Sequence, residues 1–242
     1  MEFTYEDVSK MIDHSLLNPT LTWVDLERGC QIARDYNVAS VCIMPFALKH
    51  CAEILAGSTV HPSTTIGFPH GCHKTEIKLA EAMAAIDDGG IELDMVVNIS
   101  KVLSGDWEYV RHDIHHLAHH IHDRGAKLKV IFENCYLTDT MKVRLCEICG
   151  EIGVDWVKTS TGYGSGGATD EDLILMRKHS PANVQVKAAG GVRTLDRLLE
   201  VRALGVTRCG ATQTVAMLEE AKRRLGMPTG VGAQAEGAPG LY

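Results

Sequence analysis

Apolar positions along this chain follow two alternating rhythms. Short β-rich runs lie at residues 13–17, 39–43, 64–67, 91–96, 126–132, 154–158, 184–187 and 206–209. Longer stretches between them repeat at helical spacing, as at 22–36, 74–87, 106–123 and 138–151. Strand–helix units in repetition imply parallel pairing. Eight of them predict an α/β protein with a closed (β/α)8 barrel, the TIM-barrel architecture. The first eleven residues add room for one short helix ahead of it.

Side-chain parity favours closure over an open sheet. Strands covered on both faces should be apolar on both. Here Glu92 and Asp94 flank Leu93, and Lys127, Lys129 and Glu133 oppose Leu128, Val130 and Phe132. Gln185 and Lys187 likewise oppose Val184 and Val186. One polar face suits a barrel interior that opens into a site, with the apolar face packed outward on helices. No biased linker interrupts the chain before residue 226, so 1–226 is expected to form a single barrel domain. Residues 227–242, rich in Gly, Ala and Pro and ending in Tyr242, are expected to form a flexible tail.

Composition narrows the function. A chain of 242 residues with 45% hydrophobic and 23% charged residues is long enough to bury its own core. A formal net charge of −7 gives no general attraction to nucleic acid or anionic membrane. No apolar run reaches the ~20 residues that span a bilayer, and the acidic start lacks a signal-peptide core. The eight scattered cysteines read as free thiols of a reducing, cytoplasmic compartment.

Chemistry concentrates on lysines. Lys129, Lys158 and Lys187 fall at or near strand ends on inward positions, and Asp94 shares that face. Buried lysines are costly unless paired. Any one of them could serve in a structural ion pair with Glu92, Asp94 or Glu133. Lys158 and Lys187 together, each followed by a glycine-bearing loop, point instead to an amine nucleophile beside a cation. A free lysine, with a pKa of about 10.4, is charged near neutrality. Burial and a neighbouring cation both lower that value, and Lys187 is placed to be the cation. Asp94 could then move a proton directly or through water.

The segment Thr159–Gly167 contains a formal G-x-G-x-x-G, but the next strand ends in Lys187 where a dinucleotide fold wants an acid. These glycines are expected to form a flexible loop over a small substrate. Gly190-Gly191 and Gly210-Ala211-Thr212 follow the last two strands, where barrels often hold phosphate on backbone amides.

Seven segments resemble deoxyribose-phosphate aldolase: Ile12-Asp13-His14-Ser15-Leu16-Leu17, Val41-Cys42-Ile43-Met44-Pro45, Ile66-Gly67-Phe68-Pro69-His70-Gly71, Glu92-Leu93-Asp94-Met95-Val96, Leu128-Lys129-Val130-Ile131-Phe132-Glu133, Val157-Lys158-Thr159-Ser160-Thr161-Gly162 and Val186-Lys187-Ala188-Ala189-Gly190-Gly191-Val192-Arg193-Thr194. The resemblance implies a class I aldolase, a lyase without metal or other cofactor. It would split 2-deoxyribose 5-phosphate into acetaldehyde and glyceraldehyde 3-phosphate, reversibly. It implies Lys158 as the Schiff-base lysine, Lys187 as the lysine that depresses its pKa, and Asp94 as the proton relay. Asp13, Asn18, Cys42, Lys129 and Thr161 would line or support the pocket. Gly190, Gly191 and the loop from Gly210 through Thr212 would bind phosphate, and Tyr242 would reach in from the tail. Thr212-Gln213-Thr214 departs from the serines common there, which bears on whether the aldehyde acceptor carries phosphate.

Three other features carry less. Histidines 112, 115, 116, 119, 120 and 122 oppose the apolar stripe Ile114, Leu117, Ala118 and Ile121 and read as a solvated face. His70, Cys72 and His73 lack a further ligand nearby, and Cys146 and Cys149 read as packing. The partner is then a small phosphosugar or aldehyde, with a homodimer through outer helices possible. The alternatives are a same-fold aldolase with a different or unphosphorylated acceptor, and a non-catalytic phosphosugar-binding barrel.

Overall fold

A computed structural model describes residues 2–230. Eight parallel strands pair in sequence order and close on themselves, β8 against β1. They are β1 (Ile12–Leu16), β2 (Ser40–Ile43), β3 (His61–Ile66), β4 (Glu92–Val96), β5 (Lys127–Ile131), β6 (Trp156–Lys158), β7 (Gln185–Ala189) and β8 (Arg208–Ala211). The helices are α1 (Tyr5–Ser9), α2 (Trp23–Asp35), α3 (Leu48–Leu55), α4 (Thr75–Asp87), α5 (Ile99–Leu103), α6 (Trp107–Asp123), α7 (Asp139–Ile152), α8 (Asp170–His179), α9 (Leu195–Ala203) and α10 (Thr214–Arg224). No helix among the described residues is long and apolar enough to cross a membrane.

Local chemistry sets the helix starts. Thr22, Asp106, Thr138, Thr169 and Thr194 each accept a hydrogen bond from a first-turn amide, satisfying a donor the helix cannot pair. The helix ranges expected from spacing began on three of these caps. The core lies between the outward strand faces and the helices. Leu93, Val130, Val157 and Val186 point into it, against residues such as Ile114, Leu117 and Ile121 of α6. The α6 histidines lie exposed or half-buried on the opposite face, and Cys146 and Cys149 are packed in the core.

Every strand differs from its expected range by at least one residue at an end, and three of the differences bear on the site. β3 begins at His61, three residues early, because Pro62 is tolerated near a strand's start. β7 extends to Ala189, so Lys187 lies mid-strand rather than at its end. β8 is shifted to Arg208–Ala211, which puts Gly210 inside the strand and not in the following loop. A Cβ on Gly210 would make only ordinary contact with Ala189 Cβ at 3.6 Å and Lys187 Cε at 3.7 Å, so neither a turn nor strand packing requires glycine there.

Candidate active site

The polar strand faces meet inside the barrel. Register places Asp94 beside Lys129, Lys158 beside Lys187, and Lys187 beside Arg208. Asp94 is fully buried and bridges three lysines. Its Oδ2 accepts from Lys158 Nζ at 2.9 Å and from Lys187 Nζ at 2.8 Å, and its Oδ1 accepts from Lys129 Nζ at 2.8 Å. Below them, Lys129 Nζ lies 2.7 Å from Glu92 Oε2. Lys187 Nζ meets Asp13 Oδ2 at 2.5 Å, as an ion pair rather than a well-angled hydrogen bond.

The charges follow from these contacts. Burial pushes the Asp94 carboxyl up, but Lys129, Lys158 and Lys187 hold it well below the usual carboxylate range. Burial likewise raises Asp13, and Lys187, Lys129 and Arg208 bring it down to about 2. Lys187 loses to burial but gains more from Asp13 and Asp94, so it is raised and stays charged. Lys158 goes the other way. Burial lowers it first, Asp94 opposes, Lys187 adds to the lowering, and the net direction is down. The sequence named the neighbouring cation; burial is the larger cause.

Lys158, Lys187 and Cys42 reach a cavity of about 360 Å³ at the C-terminal mouth. Burial raises the Cys42 thiol, which keeps it neutral. Asp94 and Lys129 do not line this cavity. They lie behind the lysines, so Lys129 is a supporting group. Asp13 lines it in part, with its carboxyl held by Lys187 and Arg208. Asn18 lies on the wall, its Oδ1 accepting from the amide and hydroxyl of Thr20.

Thr161 lines the mouth, yet its hydroxyl is already engaged. It donates to Glu133 Oε2, and its oxygen accepts from the Tyr163 amide at 2.9 Å. Glu133 was an expected lysine partner from its parity. Its backbone turns left-handed (φ 59°), which sends the buried carboxyl to the Thr161 amide and hydroxyl instead. The glycine-rich loop after β6 is held at three points rather than lying free. Tyr163 O–H donates to Leu17 O at 2.6 Å, Gly164 packs on Cys135 and Glu133, and Gly167 crosses Gly190. At Gly190 φ is +81°, and a Cβ would lie 2.9 Å from Gly167 Cα, so only glycine fits.

The adjoining rim, after β7 and β8, comprises Gly190, Gly191, Gly210, Thr212 and Gln213. The helix cap there is Gln213, without a side-chain hydrogen bond, and Thr212 is exposed. Several residues here escaped the sequence reading. Arg193 and Arg28 both line the cavity. Arg28 pairs with Asp25, whereas Arg193 makes no ion pair among the described residues. His14 Nδ1 lies 2.7 Å from Thr214 Oγ1, tying β1 to the start of α10. Tyr242 lies outside the described residues.

Fold and cavity together define a class: a (β/α)8 barrel whose mouth presents a buried, pKa-lowered amine beside a glycine-lined rim. Residues 8–216 match the family described as DeoC/LacD family aldolase, and the chain belongs to that family. It is 65% identical over 227 residues to a deoxyribose-phosphate aldolase of Rhodopirellula baltica, covering 94% of each chain. It is 44% identical over 218 residues to one of Thermococcus gammatolerans, covering 89% of this chain and 97% of that one. Among solved structures, the tetrameric deoxyribose phosphate aldolase of Aeropyrum pernix superposes with a TM-score of 0.83 at 28% identity. That match covers 90% of this chain and 92% of the other.

Proposed function

We propose that the protein is a class I aldolase that cleaves 2-deoxyribose 5-phosphate to acetaldehyde and glyceraldehyde 3-phosphate, and runs the reverse addition. The observation that carries this reading is the Lys158 amine. It lines the cavity, lies 2.9 Å from Asp94, and has a lowered pKa beside a charged Lys187.

In cleavage, neutral Lys158 adds to C1 of the open-chain sugar, and loss of water gives an iminium. That electron sink lets the C2–C3 bond break as the C3 hydroxyl gives up its proton. Glyceraldehyde 3-phosphate leaves. The remaining enamine takes a proton at carbon, and water releases acetaldehyde and restores the amine. Asp94, a carboxylate bridged to Lys158 and Lys187, passes protons through these lysines and an intervening water. Cys42, Thr161 and Asn18 shape the wall. The Gly190, Gly191, Gly210 and Thr212 rim offers polar groups to phosphate, and Arg193 supplies the cation.

Acetaldehyde with borohydride should leave a reduced adduct on Lys158, read by peptide mass. An active protein with Lys158 unmodified would sink the mechanism. Comparing cleavage of deoxyribose with that of its 5-phosphate decides whether the acceptor carries phosphate. Turnover that survives Lys158→Met would remove Lys158 as the nucleophile, and ligand binding without turnover in the unmodified protein would favour a non-catalytic barrel.

The same reading includes a cytoplasmic setting, which suits eight free cysteines, and a homo-oligomer. Exposed Trp23, Val24 and Phe46 support the latter, and sedimentation at micromolar protein tests it.

A further inference from the structure

The floor of the barrel holds ion pairs that the proposed chemistry does not use. Arg208, at the start of β8, donates to Asp13 Oδ1 at 2.6 Å and to both Glu92 oxygens at 2.9 Å. Its guanidinium carbon lies 4.9 Å from the Trp156 ring centroid, and Lys129 Nζ lies 5.6 Å from it. Asp13 and Glu92 are fully buried. Through them Arg208 is linked to Lys187 and Lys129, and through those to Asp94 and Lys158.

The charges in this chain can be counted. Asp13, Glu92 and Asp94 supply three negative charges; Lys129, Lys158, Lys187 and Arg208 can supply four positive ones. The interior is therefore balanced only when one cation loses its proton. Arg208 and Lys129 are both raised, since Asp13, Glu92 and Asp94 outweigh the effect of burial on them, and Lys187 is raised too. Lys158 has a single carboxylate partner, Asp94, which it shares. Its charged form is the one these contacts support least.

We propose that Arg208 and Glu92 are opposing charge-setting residues: the Arg208 charge disfavours the protonated Lys158 amine and so supports its nucleophilic form, and the Glu92 charge limits that effect. This rests on the reading of Lys158 as the Schiff-base lysine. Arg208 and Glu92 act through other residues, so they are positioning residues, not catalytic ones.

The other groups around the network are common to every variant below, including Lys127, whose Nζ lies 5.5 Å from the Trp156 centroid, and Lys10, whose pKa Arg208 helps to lower. On β2, Cys42 is a neutral thiol. On β1, burial lowers His14 to about 4, so it is neutral near pH 7. On β3, His61 Nδ1 lies 2.9 Å from Glu92, but its side chain is 38% exposed and screened by water. Beyond β5, Glu133 is bonded to Thr161 and is common to every variant below.

The two partners have opposite signs, which gives the test its power. Arg208→Gln removes a positive charge, so the interior then favours protonated Lys158. Glu92→Gln removes a negative charge and disfavours it further. Arg208 lies two strands from Lys158, about 10 Å at ordinary strand spacing. At an effective dielectric of about 20, one charge at that distance moves a pKa by ~1 unit.

The experiment measures the pH dependence of borohydride trapping by acetaldehyde at Lys158, alongside kcat/KM, in the full-length protein. Arg208→Gln should move the midpoint of the acidic limb up by about one pH unit, and Glu92→Gln down by a similar amount. The double variant should return to within a few tenths of the original value. Structural damage would move both single variants the same way. Shifts in one direction, unmoved midpoints, or a double variant displaced by a unit would each overturn the proposal. If a single variant fails to fold by near-UV circular dichroism, the other single variant and the neutral double variant still decide it. A lack of adduct on Lys158 in the unmodified protein would defeat the aldolase reading itself. An adduct with unmoved midpoints would defeat only the charge-setting role.

Discussion

The barrel interior and the β7–β8 rim are built on opposite plans. Inside, each lysine and carboxylate has a named partner, and one carboxylate, Asp94, connects three lysines. At the rim, positive-φ glycines, a helix start without a side-chain cap and an arginine with no ion pair among the described residues face a cavity. The interior fixes protonation before any substrate arrives, a form of preorganisation. The rim leaves its hydrogen-bonding capacity for what binds. On the proposed function, chemistry and specificity reside in separate parts of one mouth, and each should fail in its own way.

The largest expected effect lies in the interior. Lys158→Met should cost roughly 10⁴-fold or more in turnover, because the nucleophile is gone. It should not cost stability. The substitution removes the interior cation whose carboxylate partner does not offset burial, and it leaves Asp94 paired with Lys129 and Lys187. Denaturant midpoints should match or exceed those of the unmodified protein. A strong loss of stability would mean that Lys158 is mainly a structural ion-pair partner.

His14 joins the two regions, and its prediction concerns pH. Burial lowers its folded pKa from 6.5 to about 4. Between those values the unfolded chain takes up a proton that the folded chain refuses. Stability is then full above pH ~6.5 and falls as pH drops toward 4, by on the order of 3 kcal/mol. Urea unfolding across that window should show the slope, and His14→Asn should flatten it. A slope unchanged in the variant would assign the acid sensitivity to other groups.

Legibility in the sequence divides along the same line. Alternation at Glu92–Asp94 and at Lys127–Lys129 revealed the interior because period two survives without knowledge of register. Lys158 and Lys187 were found because a buried lysine needs a reason. Arg208 was not found, since it looks like an edge residue before Cys209-Gly210 until β8 is placed two residues later. His14 has outward parity, and only the position of α10 gives its ring a partner. Glu133 follows the correct parity to the wrong partner, because a left-handed residue breaks the alternation. Arg193 follows a glycine pair, and no periodicity tells which way a turn aims its side chains.

A smaller effect separates the rim from the interior. Arg193→Met should raise KM for deoxyribose 5-phosphate by roughly 10- to 100-fold, the value of a charge-assisted hydrogen bond. It should change deoxyribose cleavage little and leave the pH profile in place. Steady-state kinetics on both sugars gives the ratio. Equal losses on the two would remove Arg193 from phosphate recognition.

The smallest effect concerns Gln213, which caps α10 without a side-chain hydrogen bond and lines the cavity. A serine there is a better cap, and its hydroxyl can turn to an anion within reach of the first-turn amides. The gain is one hydroxyl hydrogen bond to a charged group at a solvent-exposed rim, the low end of the charge-assisted range at about 1.5 kcal/mol, so Gln213→Ser should lower KM for the phosphorylated sugar by roughly 10-fold. Deoxyribose should not benefit. If Gln213→Ser instead favours the unphosphorylated sugar, or weakens both, the glutamine contributes its own amide to the substrate. The rim would then be matched to an acceptor other than a phosphorylated aldehyde. Because Gln213 shares no hydrogen bond or ion pair with Lys158, Lys187 or Asp94 among the described residues, trapping by acetaldehyde alone should be the same in either case. That invariance, measured beside the change in KM, is what would establish that the two regions of the mouth act independently.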